Sequence, residues 1–238
     1  MEVITYIAHR GLHDKKTPEN SISAFLKANK LKLPIELDVQ LTSDDQVVVF
    51  HDKSLERLVG IQKNISLCTY EELRKYKIKG SNERIPLLKE VLDLIDGTSF
   101  LDIEIKHYKK IFKLVTMVSD LMHNYNGKYQ IKSFNPLIPY LYKRKNPHIK
   151  CGVLVGSLDK TKLPKFIKRF LLDLKYLWLY KPDFIAYNIE EVNDKIIKKI
   201  DKYNIPLHLY TIDTLEKLKR ARKLSNTIIF EKITIEKD

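Results

Sequence analysis

The sequence is poor in features that would place it in several common protein classes. Its 238 residues include only two cysteines, Cys68 and Cys151, which lie far apart and have no CxxC or Cys/His spacing. Neither a zinc site nor a disulfide framework is therefore indicated. No run approaches the roughly 18 uncharged apolar residues that a membrane span requires. The first apolar run, VITYIA, is too short for a signal peptide core, so we expect a cytoplasmic protein.

Acidic residues are in the minority. Lys and Arg number 43 against 30 Asp and Glu, which gives a formal net charge of +13. This excess favours anionic partners. The lysines are spread through every predicted helix, however, and no helix-turn-helix, zinc-finger or aromatic RNA-binding signature is present, so we do not expect a nucleic-acid partner. A general lysine bias, attraction to phosphate-bearing small molecules and contact with an anionic membrane surface all stay open.

Short apolar runs alternate with longer amphipathic segments along the whole chain. This alternation predicts an α/β fold with βαβ units and a parallel sheet, and eight or nine strands favour a closed (β/α)8 TIM barrel. Strands are predicted at 3–8, 34–39, 46–50, 99–105, 128–133, 149–155, 183–187, 206–212 and 227–231. Helices are predicted at 20–32, 87–96, 110–125, 136–145, 162–179, 191–203 and 214–224, several opened by caps such as Asn20, Asn135 or Asp213.

One segment interrupts the alternation. Residues 52–86 are rich in Lys and Glu and include one short helical pattern, TYEELRKYK, which is typical of an insertion on a barrel. No internal repeat, low-complexity tract or linker is present. We therefore expect a single domain over residues 1–238, with an insertion at about 52–86.

Ionisable residues stand where several predicted strands end, the edge at which a parallel barrel carries its active site. Because side chains alternate along a strand, Glu36 and Asp38 share one face, and so do Glu104 and Lys106. Buried carboxylates are costly without a counter-charge. Ion pairs with lysines would explain any one pair, but the whole set favours a bound cation, and oxygen ligands suit Mg²⁺ or Ca²⁺. His9, Arg10, His51 and Asp52 also follow strands.

These residues lie in motifs that resemble those of the glycerophosphodiester phosphodiesterase family. The motifs HRG, PEN, IELDVQLTSD, VVVFHD, IPLLKEVL, LDIEIK and IKSF follow in the family's order, most strongly from residue 7 to about 137. The resemblance implies a barrel with a small inserted subdomain after the second barrel strand. It implies a metal site at Glu36, Asp38 and Glu104, acid-base residues His9 and His51, phosphate-binding residues Arg10 and Lys106, and an orienting role for Glu19.

Three positions depart from the family pattern. Asp45 stands where the family usually has Gly, Tyr210-Thr211 stands where it usually has Trp-Thr, and SNTIIFEKI replaces the terminal Gly-x-Asp-Gly and Thr-Asp-x-Pro signature. None of these changes removes a predicted site residue. The aromatic Tyr210 is expected to keep a wall against the substrate alcohol.

The resemblance implies metal-dependent hydrolysis of a small glycerophosphodiester to glycerol 3-phosphate and an alcohol. His9 is assigned as base and His51 as acid, while water and the neighbouring glycerol hydroxyl stay open as nucleophile. A lysophospholipase D or sphingomyelinase D activity is an alternative on the same scaffold. A non-enzymatic sensor is less favoured because both histidines and all three carboxylates are present.

Residues 165–179, KFIKRFLLDLKYLWL, carry an apolar ridge apart from the main helical stripe. Leu172, Tyr176 and Leu179 lie among lysines on the face opposite that stripe. Scattered surface hydrophobes, peripheral contact with an anionic membrane, and a dimer interface are three interpretations of this ridge. The oligomeric state, monomer or homodimer, is left open.

Overall fold

Eight parallel strands close into a barrel in the computed structural model, which describes residues 3–106, 108–156, 174 and 177–235. The predicted (β/α)8 fold is confirmed. The strands, numbered in chain order with one non-barrel strand, β3, are β1 (Thr5–Ala8), β2 (Ile35–Leu41), β3 (Val47–Val49), β4 (Leu101–Ile105), β5 (Tyr129–Ser133), β6 (Lys150–Val155), β7 (Phe184–Asn188), β8 (Leu207–Ile212) and β9 (Thr227–Phe230).

Helices surround the barrel and cover its apolar outer face. They are α1 (Ile22–Lys30), α2 (Tyr70–Leu73), α3 (Leu88–Ile95), α4 (Ile111–His123), α5 (Leu137–Lys145), α6 (Leu177–Tyr180), α7 (Asp194–Tyr203) and α8 (Leu215–Ala221), with one 3-10 turn at Ile65–Leu67. Two predicted caps are wrong by one residue, because the side chains of Ser21 and Thr214, not Asn20 and Asp213, accept the backbone N–H groups that open α1 and α8.

The last strand closes the barrel although its family signature is replaced. Strand β9 pairs in parallel with β8 on one side and with β1 on the other, with Thr5 opposite Thr227 and Ala8 opposite Phe230. Strand β1 also pairs with β2 through Ala8 and Ile35. An apolar TIIF run therefore supplies the pairing, and Glu231 follows it at the mouth of the barrel.

Strand β3 lies outside the barrel. It runs antiparallel to β2, with Val39 opposite Val49, and it returns the chain to the barrel mouth just before His51. The tight turn between the two strands places Asp45 at φ 62°, the left-handed region in which glycine is favoured. Lys110 and Lys113 form ion pairs with the Asp45 carboxylate, which holds this turn against α4.

The segment after β3 has a small apolar cluster of its own, apart from the main core. That it forms an insertion within one domain spanning residues 1–238 stays a prediction. The buried members of this cluster are Val48, Phe50, Leu55, Ile65, Cys68, Leu73 and Ile85.

Most of the predicted amphipathic segment at 162–179 lies outside the described residues, including Leu172 and Tyr176. Leu174 and Leu177 are buried, whereas Leu179 is exposed. Within the part of the chain that the structure describes, no helix combines the length and apolar character needed to cross a membrane.

Candidate active site

Three buried carboxylates meet at the barrel mouth. Strand β2 alternates apolar side chains with Glu36 and Asp38, and in register Asp38 lies opposite Glu104 of β4. The apolar positions on both strands face the helices, so the acidic positions point into the barrel. One oxygen from each of these three carboxylates lies within 4.8 Å of the others. The structure therefore brings together the three predicted metal ligands.

Two buried lysines partly balance this charge. Lys106 Nζ lies 2.5 Å from Glu104 Oε1 and 2.8 Å from Asp38 Oδ1. Lys132 Nζ lies 3.3 Å from Glu36 Oε1. Burial lowers the pKa of Lys106, but the charges of Asp38 and Glu104 raise it by more, so the pKa of Lys106 stands above its ordinary range. Burial likewise lowers the pKa of Lys132, but Asp102 and Glu36 raise it by more, so both lysines are charged at the site.

The donor set fits a divalent cation. All three carboxylates offer hard oxygen ligands and are almost wholly removed from water. Burial raises the pKa of Glu104, with Asp38 and Glu36 acting in the same direction and Lys106 opposing them. A cation held by these oxygens would remove that mutual repulsion, so Glu36, Asp38 and Glu104 could hold Mg²⁺ or Ca²⁺.

His9 sits at the end of β1 beside the final strand. Its backbone N–H donates to Phe230 O, and its Nδ1 lies 2.6 Å from Glu231 Oε2. A carboxylate only accepts hydrogen bonds, so Nδ1 carries the proton and Nε2 is left as the acceptor. That Nε2 lies 4.0 Å from Glu36 Oε2, on the side of the carboxylate cluster. His13 Nε2 also contacts Glu231 Oε2, at 3.3 Å.

His51, which follows β3, has the same arrangement. Its Nδ1 lies 2.7 Å from Asp52 Oδ1, and Arg57 Nε donates to Asp52 Oδ2 at 2.6 Å. The hydroxyl of Tyr108 donates to the His51 carbonyl at 3.1 Å. Each predicted acid-base histidine therefore has Nδ1 bound to a carboxylate and Nε2 available to a substrate.

Arg10 joins the mouth to the loop before α1. Its NH1 lies 2.6 Å from Glu19 Oε1, its Nε lies 3.3 Å from Asp38 Oδ2, and its backbone N–H donates to Glu36 Oε2. Burial raises the pKa of Glu19, but the hydrogen bond and charge of Arg57 and the charge of Arg10 lower it to about 2. Glu19 thus contacts two arginines, Arg10 and Arg57, and its orienting role stays a prediction.

Close packing fixes this loop. Gly11, which follows Arg10, has φ 76°, and a Cβ there would lie 2.9 Å from Ala24 of α1. Only glycine allows α1 to approach this closely. Asn20 Nδ2 donates to Asp38 Oδ2 at 2.8 Å, which orients the central carboxylate of the cluster.

Comparison with known proteins identifies the family. A sequence model described as the glycerophosphoryl diester phosphodiesterase family matches residues 9–231. The chain belongs to this family. The match runs from His9 to Glu231, the two residues that are hydrogen-bonded across the barrel closure.

Two relatives of the chain have names that belong to this family or to a related activity. A protein of Caldanaerobacter subterraneus subsp. tengcongensis named glycerophosphodiester phosphodiesterase is 38% identical over 232 residues, covering 91% of this chain and 89% of the relative. The human protein named lysophospholipase D GDPD1 is 36% identical over 137 residues, covering 52% of this chain and 42% of that protein.

Solved structures share the fold. An Oleispira antarctica phosphodiesterase in complex with the product sn-glycerol-3-phosphate superposes with a TM-score of 0.81 at 20% identity, covering 96% of this chain and 93% of that chain. A glycerophosphodiester phosphodiesterase from Thermotoga maritima gives a TM-score of 0.75 at 24% identity, covering 97% and 95%.

Four residues that contact the candidate site residues are not predicted from the sequence. Glu231 was not assigned although it follows the last strand, the same signal that singled out His9. Asp52 directly follows His51 and was not given a role. Arg57 and His13 lie in loops, where no periodicity predicts which way a side chain points. Tyr210 packs edge-on against Phe134, and a wall formed by Tyr210 against the substrate alcohol stays a prediction.

Proposed function

We propose that the protein hydrolyses glycerophosphodiesters to glycerol 3-phosphate and an alcohol with the help of one divalent cation. The observation that carries the proposal is the meeting of three buried carboxylates with two histidines whose Nδ1 atoms are bound to carboxylates. The 38%-identical relative named glycerophosphodiester phosphodiesterase and the Oleispira antarctica structure with sn-glycerol-3-phosphate support the same substrate class.

A phosphodiester carries a negative charge that repels a nucleophile, and its alkoxide leaving group is poor. The divalent cation, when bound, supplies a positive charge at the non-bridging oxygens of the phosphate. Arg10 and Lys106 add fixed positive charge at the same place, and both are held there by carboxylates at distances of 3.3 Å or less. The site thus stabilises the charge that accumulates in the transition state.

His9 and His51 move the protons. With Nδ1–H donated to Glu231, His9 presents Nε2 as a base toward the attacking oxygen. His51, with its Nδ1 bound to Asp52, donates a proton from Nε2 to the leaving alcohol. The nucleophile is water or the neighbouring glycerol hydroxyl, and early release of a cyclic glycerophosphate in a product time course would identify the hydroxyl.

The test is a metal-depletion assay. Release of glycerol 3-phosphate from glycerophosphocholine and glycerophosphoethanolamine is measured before EDTA treatment, after it, and after addition of Mg²⁺ or Ca²⁺. We expect loss of activity with EDTA and recovery with at least one of the two ions. Full activity after thorough chelation would contradict the metal role.

Two variants make the assay specific to the proposed residues. His51→Ala should lower turnover by about 100-fold or more, the scale of a lost general acid. His123→Ala removes a histidine from the exposed end of α4, far from the mouth, and should leave turnover unchanged. Equal activity of the two variants would contradict the role of His51.

A lysophospholipase D activity is the second candidate, supported by the human relative of that name. The same assay run with lysophosphatidylcholine separates the two. Choline released from the lysolipid but not from glycerophosphocholine would favour the second candidate.

A further inference from the structure

A second group of possible metal ligands lies beside the proposed carboxylate site. His9, His13 and Glu231 each offer one ligand atom, and these three atoms lie within 4.8 Å of one another. They come from the end of β1, the loop that follows it, and the end of β9. We propose that they form a separate site for a transition-metal ion such as Zn²⁺, and that filling this site stops catalysis.

The geometry of the three ligands suits such an ion. Zinc binds histidine nitrogen and carboxylate oxygen at about 2.0–2.2 Å, so neighbouring ligands of a tetrahedral zinc lie about 3.3 Å apart. Glu231 Oε2 already lies 3.3 Å from His13 Nε2 and 2.6 Å from His9 Nδ1. A shift of His9 by about 0.7 Å would increase the distance between His9 Nδ1 and Glu231 Oε2 to the value that zinc requires.

The cluster is held by backbone pairing and is partly exposed. The backbone N–H of His9 donates to Phe230 O, so His9 and Glu231 directly follow two paired strands. The side chains of His9, His13 and Glu231 are 13%, 10% and 12% exposed, which lets an ion enter from the mouth. Lys232 Nζ holds the other carboxylate oxygen of Glu231 at 2.6 Å.

The two sites differ in ligand chemistry. Glu36, Asp38 and Glu104 offer only oxygen, which suits Mg²⁺ and Ca²⁺. The second cluster offers two imidazole nitrogens and one carboxylate, a set that favours Zn²⁺, Co²⁺ or Ni²⁺. The two ions should therefore bind together instead of competing.

Occupation of the second cluster would disable His9 through its tautomer. In the structure Nδ1 carries the ring proton and donates it to Glu231, which leaves a lone pair on Nε2. A metal bound at Nδ1 takes the lone pair of that atom, so the single proton of the neutral ring moves to Nε2. This nitrogen then has no lone pair with which to accept a proton. The inhibition rests on the proposed role of His9, whereas the binding does not.

The experiment titrates Zn²⁺ into the full chain with Mg²⁺ or Ca²⁺ already saturating. Calorimetry gives the number of Zn²⁺ ions bound, Co²⁺ in place of Zn²⁺ gives a visible absorption spectrum that reports nitrogen ligands, and diester hydrolysis is measured in parallel. We expect one additional Zn²⁺ ion per chain, and inhibition that does not weaken as Mg²⁺ is raised.

Two variants locate the site. His13→Ala removes one ligand and should weaken Zn²⁺ binding by about 10-fold or more. Its inhibition curve, normalised to its own turnover without Zn²⁺, should shift by the same factor. The matched control His148→Ala removes an exposed histidine near the end of α5 and should change neither quantity.

Each contrary outcome contradicts a stated part of the proposal. No Zn²⁺ binding to the Mg²⁺-loaded protein, or binding that His13→Ala leaves unchanged, overturns the site. Inhibition that disappears as Mg²⁺ is raised places Zn²⁺ at the carboxylate site and overturns it as well. Binding with full activity overturns the tautomer argument. A protein that hydrolyses no diester refutes the proposed function, while calorimetry and the Co²⁺ spectrum still decide the metal site.

Discussion

Two charged clusters lie inside the barrel, and they differ in the balance of positive and negative charge more than in burial. The mouth cluster consists of Glu36, Asp38, Glu104 and Lys106, and the inner cluster of Asp102, Gln130 and Lys132. All seven side chains are buried. In the inner cluster, Lys132 Nζ donates to one Asp102 oxygen at 2.6 Å, and Gln130 donates to the other at 3.0 Å.

The difference shows which cluster needs a ligand. The inner cluster contains one carboxylate and one ammonium group, so its charges and hydrogen bonds are complete within the protein. The mouth cluster contains three carboxylates and one ammonium group of its own. Arg10 and Lys132 also reach it, each at 3.3 Å, but each is shared with another carboxylate, Glu19 or Asp102. Negative charge therefore remains in excess, and burial makes that excess costly. A cation bound at the mouth would restore the balance. Variants in the mouth should therefore change activity, and variants in the inner cluster should change stability.

The largest expected effect comes from Glu104→Gln. The substitution keeps the size of the side chain but removes one proposed metal ligand. Metal ions stabilise the transition state by several kcal/mol, and about 4 kcal/mol corresponds to about 1000-fold in rate. We expect turnover to fall by about that factor at moderate Mg²⁺. The free energy of unfolding without metal should stay the same or rise, because one repelling charge is gone.

The measurements for Glu104→Gln are diester turnover and urea unfolding in EDTA. Glu83→Gln, in the segment after β3, serves as the control. A Glu104→Gln protein that keeps normal turnover but unfolds more easily would reverse the assignment of the mouth cluster.

Asp102→Asn should produce the second effect, this time on stability. It leaves the Lys132 ammonium buried with only the more distant Glu36 carboxylate, at 3.3 Å. Breaking a buried pair by removing one partner costs about 3–5 kcal/mol, and the Glu36 contact places this case at about 3 kcal/mol. Turnover per folded molecule should change by much less than in Glu104→Gln.

Urea unfolding and turnover at low temperature check this prediction. The double variant Asp102→Asn, Lys132→Met also removes the uncompensated ammonium, so it should be more stable than Asp102→Asn alone. If the second substitution lowers stability further instead, the loss in the single variant has another cause.

The sequence predicted the mouth cluster better than the inner one, for a physical reason. Side-chain alternation along one strand is enough to place Glu36 and Asp38 in the barrel. The pairing of Asp102 with Lys132 depends on the register between β4 and β5, which no local pattern encodes. For the same reason the sequence did not predict the contact between His9 and Glu231, because these residues become neighbours only when the barrel closes.

The sequence before β3 contains a signal, the length of the turn, that predicts its direction. Residues 46–50 were predicted as one strand among the alternating set. Only a short turn separates Leu41 from Val47, whereas a parallel connection needs a dozen or more residues. The turn length alone therefore requires an antiparallel hairpin. That hairpin is what brings His51 back beside Asp38.

The third expected effect is a pH dependence that arises beside the inner cluster. His208 is buried and stacks on Phe184 at 4.3 Å between ring centroids. Burial, with the charges of Lys132 and Lys150, lowers the pKa of His208 from 6.5 to about 3. The unfolded state therefore binds a proton below pH 6.5 that the folded state does not, so stability falls as the pH falls from 6.5 toward 3.

Urea unfolding of the wild type and of His208→Leu at several pH values checks this effect. Between about pH 7 and pH 5 the wild type should lose about 2 kcal/mol more than the variant, at about 1.4 kcal/mol per pH unit below the unfolded pKa. Only the slopes of the free energy of unfolding against pH are compared, because the substitution also changes packing. Parallel slopes would mean that His208 takes up a proton in the folded state.

The smallest expected effect comes from Arg57→Gln, at the outer edge of the mouth. Arg57 binds Asp52 through Nε and both oxygens of Glu19 through its two NH groups. It therefore connects the orienting partner of His51 to that of Arg10. Because its side chain is 48% exposed, these ion pairs contribute only about 0–1 kcal/mol to folding. Stability should change by no more than this.

Turnover should respond to Arg57→Gln although no atom of Arg57 contacts the carboxylate cluster. Less rigid placement of His51 and Arg10 raises the barrier by about 0.5–1 kcal/mol, which corresponds to a fall of about 2- to 5-fold in turnover. Arg57→Lys keeps the charge but loses the bidentate contact, so it should recover only part of the rate. The matched control Arg74→Gln removes an arginine from an exposed pair with Glu71 in the same segment after β3. Equal turnover of Arg57→Gln and Arg74→Gln would show that the segment after β3 does not orient the mouth, and would restrict the functional cluster to the barrel strands.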